Sequence, residues 1–287
     1  MAADSLQGRA AVSRTDDELL AGARTGDPAA LEALLVRYQP HLYRFGLRMC
    51  RNEDDASDVA QESLMAMARS VRDFRGDAAV TTWLYTIVRR FCASRRRRGK
   101  FAPIHEESLD APGSVVIEHL ADPKPGPEKA AADGEINAAL TTAIDALEPG
   151  QREVLILRDV EGLPAQEVAA ILGISVDAVK SRLHRARVAV RQRVAPLLGS
   201  VPMERPRPPL PPCPDVVTMF SRHLEGEIDR TVCERMEQHL ERCAYCRGVC
   251  ESLRRTLAFC RQSPVPQVPP PVAASVRAAI QAFVAQR

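Results

Sequence analysis

Prolines divide this chain of 287 residues into helical stretches separated by breaks. Five prolines fall between residues 102 and 134, the stretch VPMERPRPPLPPCP from Val201 is denser in proline, and SPVPQVPPP follows from Ser263. Proline lacks a backbone N–H and clashes with the preceding helical turn, so such stretches end helices. We therefore expect a flexible linker at the first break, a stiff polyproline-like linker at the second, and several modules instead of one domain.

Between the breaks the sequence pattern is helical. Apolar residues recur at three- and four-residue steps over residues 31–45, which is typical of one buried helical face. The pair Asp27 and Pro28 just before them is a helix-start signal. Further helices are predicted from about Glu53 to Val71 and from about Val80 to Arg98. Aromatic residues make up 4% of the chain and no alternating strand pattern of useful length occurs, so the expected fold class is all-α.

The breaks also predict the order of the modules. The expected organisation is a helical domain over residues 13–100, a flexible linker over 101–134, a helical domain over 135–198, a Pro-rich linker over 199–214, a cysteine-rich domain over 213–262 and a tail over 263–287. The formal net charge is +2, from 39 Lys and Arg against 37 Asp and Glu. Any nucleic-acid function must therefore depend on local clusters of charge.

No apolar run approaches the roughly 20 residues that span a bilayer, and the first residues lack the layout of a signal peptide. These observations predict a cytoplasmic protein without a membrane segment. Six of the eight cysteines follow residue 212. In a long chain that is not exported, cysteines are more often metal ligands, redox thiols or core residues than disulfide partners.

An acidic stripe is predicted on the helix that begins near residue 53. Asp55, Asp58 and Glu62 recur at three- and four-residue spacing and therefore share one helical face. Such a stripe can dock on a basic partner, and the alternative interpretation is a solvent-exposed face without a partner.

Aromatic and basic residues alternate in TTWLYTIVRR, from Thr81 to Arg90, and this helix continues into four consecutive arginines. Aromatic faces stack on unpaired bases and arginines neutralise phosphates, so the mixture is suited to single-stranded or melting DNA. The alternative is that Trp83, Leu84 and Ile87 simply belong to the core.

A helix-turn-helix is predicted between Gln166 and Leu183. Apolar residues recur at helical spacing on both sides of Gly173, which supplies the turn, and Ser175 can cap the second helix. The second helix would present four polar residues to a major groove, namely Lys180, Ser181, Arg182 and Arg185.

The order of these motifs resembles a known family. The segments DDASDVAQE and FRGDAAVTTWLYTIVRR resemble the promoter-melting region of bacterial sigma factors of the extracytoplasmic-function group. The string LEPGQREVLILRDVEGLPAQEVAAILGISVDAVKSRLHRARVAVRQRV is similar to the minus-thirty-five recognition region of the same family. The resemblance implies two partners: promoter DNA, and core RNA polymerase through its beta-prime clamp helices and beta flap.

The resemblance also implies roles for individual residues. The polymerase-binding positions would be Asp55, Asp58, Gln61 and Glu62. In the family an FRGD-like loop captures a flipped base of the minus-ten element. The corresponding DNA-binding positions here are Phe74, Arg75, Gly76, Asp77, Trp83 and Arg89. Arg90 stands where most members of the family have Asn.

The cysteine-rich domain contains a candidate zinc site. His239 and Cys243 lie four residues apart on one predicted helical face, and Cys246 follows after a two-residue knuckle. This spacing is suited to tetrahedral zinc, and the fourth ligand would come from Cys213, Cys233 or Cys250. The alternative is a redox dithiol of the two knuckle cysteines without metal, in which the histidine has no role.

A second resemblance favours one ligand set. The stretch CPDVVTMFSRHLEGEIDRTVCERMEQHLERCAYC resembles the zinc-binding anti-sigma domain, in which an upstream cysteine is a ligand. It implies one Zn²⁺ held by Cys213, His239, Cys243 and Cys246. The default role of the other late thiols is buried packing, and the alternative is redox or metal sensing; these are Cys233, Cys250 and Cys260.

The motifs point to binding and not to catalysis. The sequence has no Gly-rich phosphate loop, no H-E-x-x-H and no nucleophile with an oriented base, so we expect no enzyme activity and no catalytic residue. The predicted function is an extracytoplasmic-function sigma factor regulated by its own zinc-binding domain, which could contact the sigma regions intramolecularly. The alternative is a sensor or adaptor whose sigma module is held inactive by that domain.

Overall fold

The described residues of the computed structural model are 14–50, 52–76, 78–101, 127–198, 213–262 and 267–285. These ranges contain twelve α-helices and no strand, as the all-α prediction requires. The first domain contains α1 (Asp16–Thr25), α2 (Pro28–Cys50), α3 (Glu53–Ser70) and α4 (Val80–Phe101), with a short 3₁₀ turn over Val71–Asp73. The second contains α5 (Pro127–Asp145), α6 (Pro149–Leu155), a π-helical turn over Ile156–Val160, α7 (Ala165–Leu172) and α8 (Val176–Val194). The remaining helices are α9 (Val216–Leu224), α10 (Arg230–Arg242), α11 (Ala244–Gln262) and α12 (Pro270–Ala285).

In the first domain, helices α2, α3 and α4 pack against one another around large apolar side chains. Leu34, Leu42, Leu64 and Leu84 have no solvent exposure. The burial of Leu34 and Leu42 was predicted from their spacing on one helical face, and that of Leu84 agrees with its alternative assignment to the core. The start of α2 at Pro28 also agrees with the sequence signal. This core fixes the acidic helix α3 beside the aromatic and basic helix α4.

In the second domain, α7 and α8 form the predicted helix-turn-helix. Gly173 ends α7 in the left-handed conformation with φ +66°, and the Ser175 hydroxyl caps α8 by accepting from the backbone N–H of Ala178 at 3.2 Å. Buried Arg152 donates to the carbonyl oxygens of Ile144, Asp145 and Leu147 at the end of α5. These bonds satisfy carbonyls that have no partner within the helix.

The cysteine-rich domain contains α9, α10 and α11 around a small core. Its buried apolar residues include Val216, Phe220, Met236, Leu253 and Leu257. So small a core is marginal by itself, and domains of this size usually need a metal, a disulfide or a partner.

Two helices lie where breaks were predicted. Helix α5 begins at Pro127, inside the predicted linker 101–134, and α12 occupies most of the predicted tail 263–287. Both begin with proline, which is tolerated in the first helical turn because the N–H there has no helical acceptor. The linker prediction was therefore wrong for residues 127–134, and the tail forms a helix that packs on α3.

The parts of the chain that the structure describes include no helix that is both long enough and apolar enough to cross a bilayer.

Candidate DNA-binding surfaces and metal centre

The loop before α4 forms one wall of a pocket of about 450 Å³. Phe74 stacks on Trp83 with ring centroids 4.7 Å apart and an interplanar angle of 29°. Gly76 has φ +84°, a conformation that favours glycine, so the chain turns sharply beside exposed Arg75. Aromatic faces next to a cation can hold an unstacked base. The predicted contact Asp77 lies outside the described residues.

The second domain covers part of α4. The hydroxyls of Thr81 and Thr82 each donate to one carboxylate oxygen of Glu167, at 3.0 Å. Arg89 donates from Nε to Glu153 Oε2 at 3.3 Å. Glu153 lies on α6 and Glu167 on α7, so the predicted DNA surface of the first domain is in contact with the second domain.

Glu161 is the central residue of this contact. Its side chain is 2% exposed and follows the π-helical turn directly. Arg44 donates to it at 2.7 and 2.5 Å, the Tyr85 hydroxyl donates at 2.7 Å, and His41 Nδ1 lies 3.3 Å away. Burial opposes the charged form of the carboxyl, but the bonds from His41, Arg44 and Tyr85 outweigh burial and hold the pKa of Glu161 below its usual value. The two domains are thus joined through a buried, paired carboxylate.

The acidic stripe is present on α3, and Arg95 of α4 joins its members. Arg95 Nη1 lies 3.0 Å from Asp55 Oδ1 and 2.9 Å from Asp58 Oδ2, and Nη2 lies 3.1 Å from Glu62 Oε1. The Asp58 side chain is 53% exposed, so a basic partner can still reach it. Partly exposed ion pairs contribute little to stability, and the arginine can be displaced at small cost.

Helix α12 lies against the same helix α3. The Ser275 hydroxyl donates to Gln61 Oε1 at 3.4 Å, so the fourth predicted polymerase contact is engaged within the chain. Val276 is 2% exposed and belongs to the main apolar core cluster, which includes residues of both the first and the second domain. Val268, just before the helix, packs against Tyr43 and its neighbours. The apolar contacts anchor α12 beside the acidic stripe.

One face of α8 contacts the cysteine-rich domain. Four residues spaced by three or four positions make this contact, namely Lys180, His184, Arg187 and Arg191. Lys180 Nζ lies 2.7 Å from Glu227 Oε1, and this neighbouring carboxylate raises the pKa of Lys180. His184 Nε2 lies 3.1 Å from the Thr218 hydroxyl. Helix α8 is therefore covered along one side by α9, by the segment after it and by α11.

Arg187 is the most buried member of this face. Its side chain is 1% exposed and donates to both oxygens of Asp159, at 2.8 and 2.6 Å, and to Glu225 Oε1 at 2.9 Å. Its Nη1 also donates to the Ser221 hydroxyl at 3.2 Å. The second oxygen of Glu225 accepts from Arg158 Nε at 3.0 Å. Because Glu225 and Ser221 lie in the cysteine-rich domain, a buried ionic network joins that domain to α8.

The four residues predicted to read bases do not share one environment. Lys180 is paired with the cysteine-rich domain, whereas Ser181 and Arg185 are exposed. Arg182 is half-buried, and its guanidinium lies against Gly150 at the start of α6. A methyl group at position 150 would be only 3.3 Å from this guanidinium. A DNA groove can thus reach Ser181 and Arg185 in this arrangement, but Lys180 is engaged elsewhere.

The four predicted zinc ligands converge. The donor atoms of Cys213, His239, Cys243 and Cys246 all lie within 4.8 Å of one another. Nε2 of His239 is buried without a hydrogen-bond partner among the described residues. A buried nitrogen without a partner is costly unless it binds something else, and the donor set of three thiols and one imidazole is the kind that zinc prefers.

The two knuckle thiols have different environments. Cys243 lies just before α11, where the backbone N–H of Cys246 lowers the pKa of the Cys243 thiol. Burial raises the pKa of the Cys246 thiol, and the neighbouring Cys213 and Cys243 raise it further. This crowding of thiols disfavours several thiolates at once unless a cation lies between them.

The remaining late cysteines are dispersed. Cys233 Sγ lies 3.2 Å from Nδ1 of His223, away from the cluster, so this rival ligand is not brought to the site. Cys250 is buried, and burial raises its pKa to about 11. Cys260 is fully buried in the main core cluster, and burial raises its pKa to about 12. The packing role predicted for Cys250 and Cys260 agrees with their burial.

Sequence reasoning missed the contacts between the domains. Glu161, Arg187, Glu225 and Glu227 each lie in the motifs quoted above, but no local pattern marks them. Their partners are distant in the chain; Arg187 and Glu225, for example, are separated by 38 positions. Two charged residues in different modules carry no sequence signal that they meet.

Comparisons with known proteins show which families and proteins this chain is similar to. Residues 34–101 match the family Sigma-70 region 2, residues 137–190 match Sigma-70, region 4, and residues 213–247 match a zinc-finger family. RNA polymerase sigma-H factor of Pseudomonas aeruginosa is 31% identical over 184 residues, which cover 64% of this chain and 95% of that protein. ECF RNA polymerase sigma factor SigM of Mycobacterium tuberculosis is 34% identical over 186 residues, covering 65% of this chain and 86% of that protein. Among solved structures, the sigma factor RpoE in complex with the anti-sigma factor NepR from Bartonella quintana matches at 26% identity, with a TM-score of 0.42, over 60% of this chain and 96% of that one.

The substitution Arg187→Met tests the buried ionic network. It leaves the carboxylates of Asp159 and Glu225 buried without their main partner, which should lower the free energy of unfolding by about 3 to 5 kcal/mol. Urea denaturation followed by circular dichroism measures the change. Arg185→Met is the matched control, because Arg185 is exposed on the same helix and its loss should cost less than about 0.5 kcal/mol. Equal stabilities of the two variants would contradict the assignment.

Proposed function

The chain belongs to the extracytoplasmic-function (ECF) RNA polymerase sigma factors, and from this premise we propose that it directs core RNA polymerase to specific promoters and initiates transcription there. The observation that carries the proposal is the presence of both sigma regions in one chain, in the family's order. A DNA-binding regulator with the same helix-turn-helix would lack the first region. Initiation factors of this kind are not catalysts.

The polymerase contact is proposed on α3. Asp58 is the most exposed member of the stripe, and Asp55, Glu62 and Gln61 lie on the same helix. A basic partner would replace Arg95 as the counter-ion of these carboxylates. This exchange of one cation for another keeps the electrostatic cost of docking small.

The minus-ten contact is proposed in the aromatic pocket before α4. Phe74 and Trp83 supply stacking surfaces for a flipped base, and Arg75 and Arg89 supply charge for the adjacent phosphates. Gly76 supports this by permitting the turn, and Asp77 is included from the resemblance alone. For Arg89 to bind phosphate, its pairing with Glu153 must break, so the second domain must move away from α4.

The minus-thirty-five contact is proposed on α8, through Lys180, Ser181, Arg182 and Arg185. Arginine and lysine donate to the edges of guanine in the major groove, and serine donates to several base edges. Lys180 can take part only after it leaves Glu227 of the cysteine-rich domain. DNA reading and the closed contact of that domain are therefore competing states.

We propose further that the cysteine-rich domain and α12 regulate the sigma regions by covering them. The C-terminal domain is a zinc-finger-type, anti-sigma-like domain fused to the sigma factor. Its contact with α8 engages Lys180, a predicted DNA-binding residue. The contact of α12 with α3 engages Gln61, a predicted polymerase-binding residue. Covalent attachment raises the effective concentration of such a domain to roughly millimolar, so weak contacts suffice to populate a closed state.

The alternative function is a sensor or adaptor in which the sigma module stays inactive. If the cysteine-rich domain and α12 never left the sigma regions, the sigma module would remain inactive, as this alternative requires. Transcription separates the two functions, because a regulated sigma factor becomes active on release whereas an adaptor does not.

The substitution Val276→Asp tests function and regulation together. It places a carboxylate at a buried position of α12, which should cost roughly 2 kcal/mol or more and shift the closed equilibrium at least about tenfold. With core RNA polymerase and a library of randomised promoters, the variant should give several-fold more transcript than the unchanged chain.

Sequencing of the transcripts from this library identifies the preferred promoter elements. Adding Arg182→Ala to the variant should relax the preference for bases of the minus-thirty-five element.

Ala278→Asp is the matched control, because it adds the same charge at an exposed position of the same helix. Equal transcript yields for the two aspartate variants, both above the yield with core alone, would contradict covering by α12. Absence of promoter-specific transcript with every variant would contradict the sigma function.

We also propose that one Zn²⁺ binds Cys213, His239, Cys243 and Cys246. The convergence of these donors and the buried Nε2 of His239 support this ligand set over Cys233 or Cys250. Bound zinc would hold the segment before α9 to the junction of α10 and α11. Structural zinc of this kind supplies folding free energy to a domain whose core is small.

Metal analysis tests the zinc site. The chain purified without chelator should contain one zinc per molecule, and the double variant Cys243→Ala, Cys246→Ala should contain none, with loss of helical signal from the domain. Because thiolates must be deprotonated to bind metal, zinc should also dissociate as the pH falls. Cys233→Ala is the control and should keep its zinc. Full zinc content in the double variant would refute the site.

A further inference from the structure

A second pair of cysteines lies in the first domain, away from the proposed zinc site. Cys50 is the last residue of α2, and Cys92 lies in α4. Their sulfur atoms are 3.6 Å apart, with the Cys50 thiol donating to the Cys92 sulfur. The two residues are 42 positions apart in the chain, so packing of the helices and not local sequence brings them together.

The two thiols differ in access to solvent. Cys50 is half-buried, whereas Cys92 is 6% exposed and belongs to the main core cluster. A small reagent can therefore reach Cys50, and Cys92 lies behind it within contact distance. This arrangement is that of an attacking thiol with a resolving thiol.

The geometry permits a bond with a small movement. A disulfide has a sulfur–sulfur distance of about 2.05 Å, so the two sulfur atoms must approach by roughly 1.5 Å. Rotations about the two side-chain χ1 angles can share that movement. Both side chains already point at each other from directly packed helices, which is the main requirement for a bridge.

We propose that Cys50 and Cys92 form a redox-active dithiol that hydroperoxides oxidise to a disulfide between α2 and α4. The Cys50 thiolate attacks one peroxide oxygen, the O–O bond breaks, and the leaving oxygen takes a proton to become water or an alcohol. Cys50 is then a sulfenic acid. The Cys92 sulfur attacks the Cys50 sulfur, the S–O bond breaks, and hydroxide leaves with the Cys92 proton as water. Two thiols and one peroxide thus give one disulfide, one water or alcohol and one further water.

The bridge would join two helices that position the acidic stripe. Arg95 lies three residues after Cys92 on α4 and holds Asp55, Asp58 and Glu62 of α3. A covalent link one turn away would fix α4 against α2 and limit movement of this stripe.

Mass spectrometry tests the proposal on the full, zinc-loaded chain. After stoichiometric hydrogen peroxide, alkylation of remaining thiols and non-reducing trypsin digestion, we expect the linked peptides MCR and FCASR, which carry Cys50 and Cys92. Dithiothreitol should separate them. The midpoint of thermal unfolding should rise by several degrees on oxidation, because the link restricts the unfolded chain, and this rise should be absent in Cys50→Ser.

Single variants assign the two roles. In Cys92→Ser, Cys50 should accumulate as a sulfenic acid that dimedone traps; in Cys50→Ser, Cys92 should stay reduced because it is buried. Cys260→Ser is the control, since it removes a fully buried thiol elsewhere and should leave the linked peptide unchanged. Circular dichroism verifies that each variant folds. Complete alkylation of both cysteines after peroxide, or a link from Cys50 to another cysteine, would overturn the proposal.

Discussion

The buried guanidinium of Arg187 is the interaction on which the arrangement of the domains depends. A charge with 1% exposure must be paired, and Arg187 takes one carboxylate from its own domain, Asp159, and one from the cysteine-rich domain, Glu225. Burying these charges costs about as much as their attraction returns, but removal of any one partner would leave the others buried without a counter-ion. It fixes which face of α8 meets the cysteine-rich domain.

In this arrangement of the domains, three surfaces of the sigma regions are covered at the same time. The cysteine-rich domain covers one side of α8, the second domain covers part of α4 through Glu161 and Glu167, and α12 covers α3. Ion pairs and hydrogen bonds make part of this contact, and an apolar cluster that spans both sigma regions and includes Cys260 and Val276 makes another part. Polar contacts between tethered domains are individually weak and weaken further as salt screens the exposed pairs, which suits a closed state that must open. Zinc at the cysteine cluster would act on this equilibrium by keeping α9, and with it Glu225, in place.

The sequence predicted well what depends on neighbouring residues. The helix-turn-helix with Gly173 and Ser175, the start of α2 at Pro28 and the grouping of His239 with the two knuckle cysteines follow from spacing and local backbone chemistry. Cys213 was chosen as the fourth member of the cluster through the family resemblance alone. The predictions were poorer near prolines, because a proline can either end a helix or occupy its first turn. Pro127 and Pro270 were assigned to breaks, but each begins a helix. The pairs between domains, such as Glu161 with Arg44, follow only from tertiary packing, because charged residues distant in the chain carry no mark of their partners.

Surfaces proposed to bind core RNA polymerase and promoter DNA are in contact with the cysteine-rich domain and with α12. The most direct measurement compares the affinity of core RNA polymerase for the full chain with its affinity for a chain ending at Ser200, by titration at one salt concentration. The shortened chain lacks α9 to α12 and should bind about tenfold or more tightly, since no closed state competes with the polymerase. Equal affinities of two well-folded chains, or tighter binding by the full chain, would show that these domains do not cover the polymerase-binding surface.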